Sequence, residues 1–277
     1  MLKLSRVALH QWHFVYPDAY SHLMDLFDEG CESYDEGDLD QAERAFNAVL
    51  AAMPDHLDAI HHLAMVLSER DLIYQANDLW EQAVRIGRKT FPKDFNPGED
   101  RLQWGWLENR PFLRCLHGLA LAKYEEYHTG EALSLFQELL SLNPNDNQGV
   151  RAMAEEALFE LNRFEDALKV TEQYPDDMMP ETLYGQALAL YILGRIREAD
   201  GALREAIEYS PLVRKELLKK RHRLPRSARP DAVAVGSTDE AYCYWEHFGR
   251  FWEAAPGSLD WLREMSAQKR EARPDIN

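Results

Sequence analysis

Residues 113–146 read LRCLHGLALAKYEEYHTGEALSLFQELLSLNPND, and this pattern of two apolar helices is repeated along the chain. In the second helix, the anchor alanine Ala132 is followed four residues later by Phe136 and twelve residues later by Pro144. The equivalent alanines of the other repeats are Ala42, Ala76, Ala167 and Ala199. With Ala132 in its place, the five alanines follow one another at spacings of 34, 56, 35 and 32 residues. Apolar residues at intervals of three and four predict helices, and a common period near 34 predicts an array of helix-turn-helix units.

Glycines and small residues predict where the helices turn and where they touch. Turns within a unit are predicted at Gly37, Thr129-Gly130 and Gly194, because glycine adopts the left-handed conformation at little cost. The eighth position of each first helix is small, so that the second helix can approach closely. These residues are Gly30, Ala64, Ala120 and Ala187, and the fourth unit departs from the rule with Glu155.

The 56-residue spacing contains 22 additional residues, 91–112, rich in proline, glycine and tryptophan. Asn109 is expected to cap the helix that follows, with Pro111 in its first turn. Trp104 and Trp106 either fill a gap between units two and three or belong to a functional loop. We expect an N-terminal segment (1–22), repeats (23–211) with this insert at about 91–112, a basic linker (212–236) and C-terminal capping helices (237–277).

Charge is distributed unevenly over the 277 residues. The net charge is −17, with −19 on residues 1–200 and +2 on residues 201–277. An acidic body repels nucleic acid and attracts cationic partners, so no nucleic-acid partner is expected. The eight lysines and arginines of residues 214–229 are expected to form a solvated linker that pairs with the acidic repeats.

Compartment is inferred from what the sequence lacks. It has no apolar run of eighteen residues and no secretion-signal pattern, which predicts no membrane partner. Its three scattered cysteines, Cys31, Cys115 and Cys243, indicate a reducing environment. We therefore expect a cytoplasmic protein.

The array resembles the tetratricopeptide repeat superfamily over residues 23–211. The strings WGWLENRPFLRCLHGLAL, LNPNDNQGVR and AIEYSPLV…GSTDEAYCYW…PGSLDWL also resemble soluble bacterial relatives of the suppression-of-tumorigenicity-seven family. These resemblances imply an all-α, right-handed superhelical solenoid of about five helix-turn-helix units with a C-terminal helical cap. They imply no enzymatic activity.

The tetratricopeptide resemblance also implies a concave groove built from five positions of each first helix. In this chain those positions supply mainly carboxylates, tyrosines and histidines. The candidate ligand-binding residues of the groove are Tyr34, Asp35, His61, Glu69, Arg114, His117, Tyr124, Glu156, Tyr184 and Tyr191. The lysine and asparagine with which related repeats hold a chaperone's carboxyl tail are absent. Excess carboxylates beside tyrosines favour a scaffold or adaptor that binds a basic or aromatic-rich client segment. Self-association into a homo-oligomer is a further possibility.

Two alternatives remain open from the sequence. The insert, with Trp104, Trp106, Arg110 and Arg114, could bind an anionic peptide end or a small phosphorylated ligand, or its arginines could lock the loop in place. A histidine- or metal-dependent enzyme is the third hypothesis, suggested by His10-x-x-His13. The sequence shows no third metal ligand and no catalytic motif, so neither a metal nor a cofactor is expected.

Overall fold

The structure of the protein is a computed structural model in which residues 2–229 and 232–265 are described. The predicted all-α helical-repeat architecture is confirmed, and the chain divides into two compact units, Met1–Arg151 and Ala152–Asn277. The domain boundaries expected from the sequence stay a prediction. The last part of the expected cap, from residue 266 onwards, lies outside the described residues.

Unit 1 consists of three consecutive helix pairs preceded by a β-hairpin. Its helices are α1 (Met24–Asp35), α2 (Leu39–Ala52), α3 (Leu57–Glu69), α4 (Ile73–Arg88), α5 (Arg110–Glu125) and α6 (Thr129–Leu142). The hairpin joins β1 (Lys3–Ala8) antiparallel to β2 (Gln11–Val15). Short 3₁₀ helices at Asp18–Leu23 and Leu107–Asn109 lead into α1 and α5.

Unit 2 contains two further helix pairs and the C-terminal helices. The pairs are α7 (Val150–Glu160) with α8 (Phe164–Gln173), and α9 (Pro180–Ile192) with α10 (Ile196–Tyr209). They are followed by α11 (Pro211–Leu217), α12 (Thr238–Ala254) and α13 (Ser258–Glu264). The predicted cap of α12 is present, since the Ser237 hydroxyl accepts hydrogen bonds from the backbone N–H groups of Asp239 and Glu240.

The helix pairs pack as the anchor residues predict. All five anchor alanines are buried, and Phe46, Phe136 and Leu203 four residues later are also fully buried. The exceptional Glu155 is buried too, and Thr182 donates a hydrogen bond of 3.3 Å to its carboxylate. The Thr182 hydroxyl lies closer to Asp177, at 2.7 Å, so it satisfies the Glu155 carboxylate only in part.

Each turn within a pair has a left-handed residue five positions before the anchor alanine. Their φ angles lie between 55° and 81°; the residues are Gly37, Asp71, Tyr127, Asn162 and Gly194. The turn predicted for the third helix pair, at Thr129-Gly130, was therefore wrong, because the left-handed residue is Tyr127 and Gly130 lies in the first turn of α6. Position relative to the anchor, rather than the nearest glycine, decides where the chain reverses.

Tyr127 carries backbone strain, because a side chain with a Cβ adopts φ +61° only at a cost of about 1–2 kcal/mol. Its side chain is 92% exposed and offers little packing in return. Tyr127→Gly is therefore expected to raise the free energy of unfolding by about 0.5–1 kcal/mol, after the entropy of the more flexible unfolded chain is deducted.

The measurement is urea denaturation of the full chain. Tyr74 is the matched control, since it is 80% exposed but lies in helix α4, where glycine is unfavourable. Tyr74→Gly should lower stability by about 0.5 kcal/mol. If both variants lower stability alike, the turn at Tyr127 is not strained.

Candidate functional site

The groove residues predicted in unit 2 are covered by the chain's own C-terminal helices. Tyr184 is fully buried, its hydroxyl donates to the backbone oxygen of Ser210 at 2.8 Å, and its ring lies 5.6 Å from that of Tyr244 in α12. Tyr191 stacks on Trp261 at 4.5 Å and donates to the backbone oxygen of Pro256. Tyr184 therefore cannot face a client in this arrangement, because α12 lies against it, whereas Tyr191 still lines a cavity of 440 Å³.

Glu156 is engaged in the same way. Its carboxylate accepts hydrogen bonds from His247 at 3.1 Å and from Arg250 at 2.8 Å, both in α12. Arg250 also contacts Glu160, and Phe248 and Phe251 pack on Phe159. The hydrogen bond to Glu156 raises the pKa of His247 against the opposing effect of burial. An aromatic helix thus places His247 and Arg250 against the carboxylates of α7.

Unit 1 keeps an open cavity on its first helices. The cavity has a volume of 330 Å³ and lies between α3, α4 and α5. It brings together three of the predicted residues, His61, Arg114 and His117. The other side chains that matter to its chemistry were not predicted as ligand-binding: Met65, Trp80, Leu121, Glu125 and Gln148. The sequence signal for Trp80 was its presence at an anchor position where the first and third helix pairs have phenylalanine.

Two histidines of the cavity are held in one tautomer by their neighbours. The Trp80 indole N–H donates to Nδ1 of His61 at 3.2 Å, and the Gln148 side-chain amide donates to Nδ1 of His117 at 3.3 Å. A neutral imidazole that accepts at Nδ1 carries its proton on Nε2. The Nε2 atom of His117 is buried without a hydrogen-bond partner among the described residues. The cavity is therefore bordered by a histidine whose buried N–H donor has no acceptor among the described residues.

Both imidazoles are neutral at physiological pH. Burial lowers the pKa of His61 to about 3, and burial also lowers the pKa of His117. Arg114 supplies the positive charge of the site, and one of its N–H groups donates to the buried Asp58 at 2.9 Å. The floor is thus rich in donors but carries little net charge, because Asp58 offsets Arg114.

The surroundings of the cavity are acidic. Asp35, Glu69 and Glu125 are exposed on the first helices of unit 1, and the Tyr34 hydroxyl donates to Glu69 at 3.5 Å. Tyr124 is only partly exposed and its ring packs 6.2 Å from that of Phe136, so it belongs to the helix contact. Of these carboxylates, Glu125 lines the cavity itself.

The insert is locked to the N-terminal hairpin. Asn109 is fully buried; its side chain accepts from the backbone N–H of Phe14 and donates to the backbone oxygens of Trp12 and Gln103, each at 3.1 Å. Asn109 does stand before α5 with Pro111 in the first turn, but its side chain makes no capping bond. The predicted cap was therefore wrong, because this amide binds the hairpin instead.

The remaining insert residues are also used within the fold. Arg110 donates to the backbone oxygen of Trp104 at 3.0 Å, and its guanidinium lies 5.1 Å from the centre of that ring. Trp106 lies 5.0 Å from the ring of His13 and is 37% exposed. The structure thus brings Arg114 to the cavity, whereas Arg110 and the two tryptophans stabilise the loop.

Within residues 2–229 and 232–265, no three histidine, cysteine or acidic side chains are grouped so that they could hold a metal ion. His10 instead contacts the buried Asp100 at 3.1 Å. None of the helices in the described part of the chain is both long and apolar enough to cross a membrane.

Consecutive pairs of packed helices define a helical-repeat fold of the tetratricopeptide type. The family described as Transcriptional repressor TCF25 matches residues 12–274, and the chain belongs to this family. That family is a different one from the suppression-of-tumorigenicity-seven family that three sequence blocks resemble. Among curated proteins, none matches this chain.

Solved structures agree on the fold. YrrB, described as a TPR protein with an unusual peptide-binding site, is 16% identical over 67% of this chain and 85% of its own, with a TM-score of 0.50. MamA is 16% identical over 73% of this chain and 98% of its own (TM-score 0.51). A tetratricopeptide repeat protein from Parabacteroides merdae is 17% identical over 68% and 67% (TM-score 0.50). At such low identity these likenesses establish the fold alone.

Acidification is expected to destabilise the native state through His61. Its pKa is about 3 in the folded protein and about 6.5 in an unfolded chain. Below pH 6.5 the unfolded chain therefore binds a proton that the native state does not, and the free energy of unfolding falls as pH falls. From pH 7 to pH 5 this histidine should account for about 2 kcal/mol.

His61→Gln should remove that part of the pH dependence. The measurement is urea denaturation at pH 7 and pH 5, with His22→Gln as control, since His22 is exposed. A His61→Gln variant that loses as much stability on acidification as the unsubstituted protein would contradict the assignment.

Proposed function

We propose that this protein is a non-enzymatic scaffold that holds a segment of a client protein against the first helices of unit 1. The fold of its structural neighbours supports a protein-interaction role in general, and YrrB is described as binding peptide. The observation that carries the proposal is the cavity of 330 Å³, which is lined by Glu125 and by His117, whose buried N–H has no partner among the described residues. Three free cysteines support a cytoplasmic location.

The cavity is matched to one large side chain of the client. Its volume is at the lower end of the range for ligand pockets, roughly 300–1,000 Å³. Trp80, Met65 and Leu121 offer apolar contact, and the Nε2–H of His117 needs an acceptor. A tyrosine satisfies both requirements, because its ring is apolar and its hydroxyl oxygen accepts a hydrogen bond.

The residues next to that tyrosine are basic in this proposal. Exposed carboxylates of Asp35, Glu69 and Glu125 attract lysine or arginine on either side of the anchor. The inner face of α7 and α9 offers a precedent within the chain, since Glu156 and Glu160 bind Arg250 of an aromatic helix. The same chemistry is left unused in unit 1. We do not place the client at the insert, because Arg110 already binds Trp104.

The proposal is tested by selecting peptides from a random display library on the full chain. Tyrosine flanked by lysine or arginine should be enriched. In a selected peptide, replacing that tyrosine by phenylalanine should weaken binding about tenfold, because the buried N–H of His117 is again left without an acceptor.

Charge reversal around the cavity gives the second measurement. Glu69→Lys with Glu125→Lys should weaken the selected peptide at least tenfold in fluorescence anisotropy. Asp78→Lys with Glu81→Lys is the matched control, since both carboxylates are exposed on α4 and the net charge changes equally. Equal loss in both pairs, or enrichment of acidic peptides, would overturn the proposal.

A further inference from the structure

The segment between α11 and α12 is fixed to the fold rather than loose. We call residues 219–229, KKRHRLPRSAR, the basic strap. His222 stacks on Trp245 at 3.8 Å with the rings nearly parallel, and its Nδ1 lies 3.0 Å from the buried Glu216. Ser227 donates to Asp239 at 2.7 Å. Two attachments therefore hold the strap against unit 2.

The strap presents its cations to solvent. All six are exposed: Lys219, Lys220, Arg221, Arg223, Arg226 and Arg229. Within residues 2–229 and 232–265, Lys219 alone among them has an ion-pair partner, and this partner is Glu216 of the adjoining helix α11. The expectation that the basic run pairs with the acidic repeats stays a prediction. Five neighbouring cations have no ion-pair partner among the described residues.

We propose that the basic strap binds the phosphodiester backbone of single-stranded nucleic acid. Five uncompensated cations on a fixed segment form an electrostatic footprint for phosphates, and arginine binds phosphate oxygens bidentately. The acidic composition of the whole chain predicted no such partner. However, repulsion from distant carboxylates is screened within about 8–10 Å at physiological salt, so the local charge of the strap decides.

Other anionic partners fit the strap less well. A groove on another protein that took up the strap as an extended basic peptide would need every side chain of the strap to be free. His222, in the middle of the strap, is instead stacked on Trp245 and bonded to Glu216. Binding to an acidic protein surface would depend on apolar side chains of the strap that become buried in the interface. Leu224 is the one large exposed apolar side chain of the strap. Pro225 excludes the continuous amphipathic helix that would lie on a lipid surface.

The test is fluorescence anisotropy of the full chain with a labelled 20-nucleotide single-stranded RNA of mixed sequence, repeated with the matching DNA. If five phosphates are contacted, the logarithm of affinity falls with the logarithm of salt at a slope of about −3.5. Between 50 and 200 mM salt the affinity should therefore fall about 100-fold. Equal binding of DNA identifies the backbone alone as the ligand, and preference for RNA identifies its 2′-hydroxyl as a further contact.

Matched variants locate the site. Arg221→Glu with Arg223→Glu should weaken binding at least tenfold and reduce the salt slope by about 1.4. Arg44→Glu with Arg197→Glu, exposed arginines outside the strap, changes the net charge equally and should leave the slope unchanged. Circular dichroism checks that both variants are folded.

Three results would overturn the proposal. The first is absence of binding at 50 mM salt. The second is equal weakening by both pairs of substitutions, which would show that only net charge matters. The third is competition by a 20-residue polyglutamate peptide as strong as that by unlabelled RNA, which would make an acidic protein the partner.

Discussion

Close approach of two helices is the constraint on which each repeat depends. At Gly30 an added methyl group would lie 2.6 Å from the ring of Phe46, so a side chain there would push α2 away from α1. The equivalent alanines of the second, third and fifth helix pairs are fully buried for the same reason. Tight packing makes each pair a stiff element and leaves the first helices with a common surface on which ligands or further helices can pack.

The two units use that surface differently. In unit 2 the aromatic residues of α12 cover it, with Tyr244, Phe248 and Trp252 fully or nearly fully buried. Unit 2 keeps a cavity of 440 Å³ beside Tyr191 and Phe251, whereas the cavity of unit 1 has hydrogen bonds that fix two imidazoles as donors. A covered surface contributes stability, whereas an open one with an unsatisfied donor is suited to binding.

Local charge matters more than the sum over the chain. The net charge of −17 describes neither the donor-rich floor of the cavity nor the basic strap. In the cavity Asp58 offsets the charge of Arg114, and burial keeps both histidines neutral. Beside the strap, Glu216 is already bound to Lys219 and His222, and Asp239 to Ser227. Screening by salt confines each of these effects to its own neighbourhood.

The sequence by itself determined the repeat, the helix pairs and the buried anchors, because these depend on contacts between residues close in the chain. The left-handed turn at Tyr127 was also available in principle, since it lies five residues before Ala132 as its counterparts do. The short hairpin was missed because two strands of six and five residues give little periodic signal. Only tertiary structure decided the role of Asn109, the covering of Glu156 by Arg250 and the open cavity. Partners separated by about ninety residues meet only when the whole fold is formed.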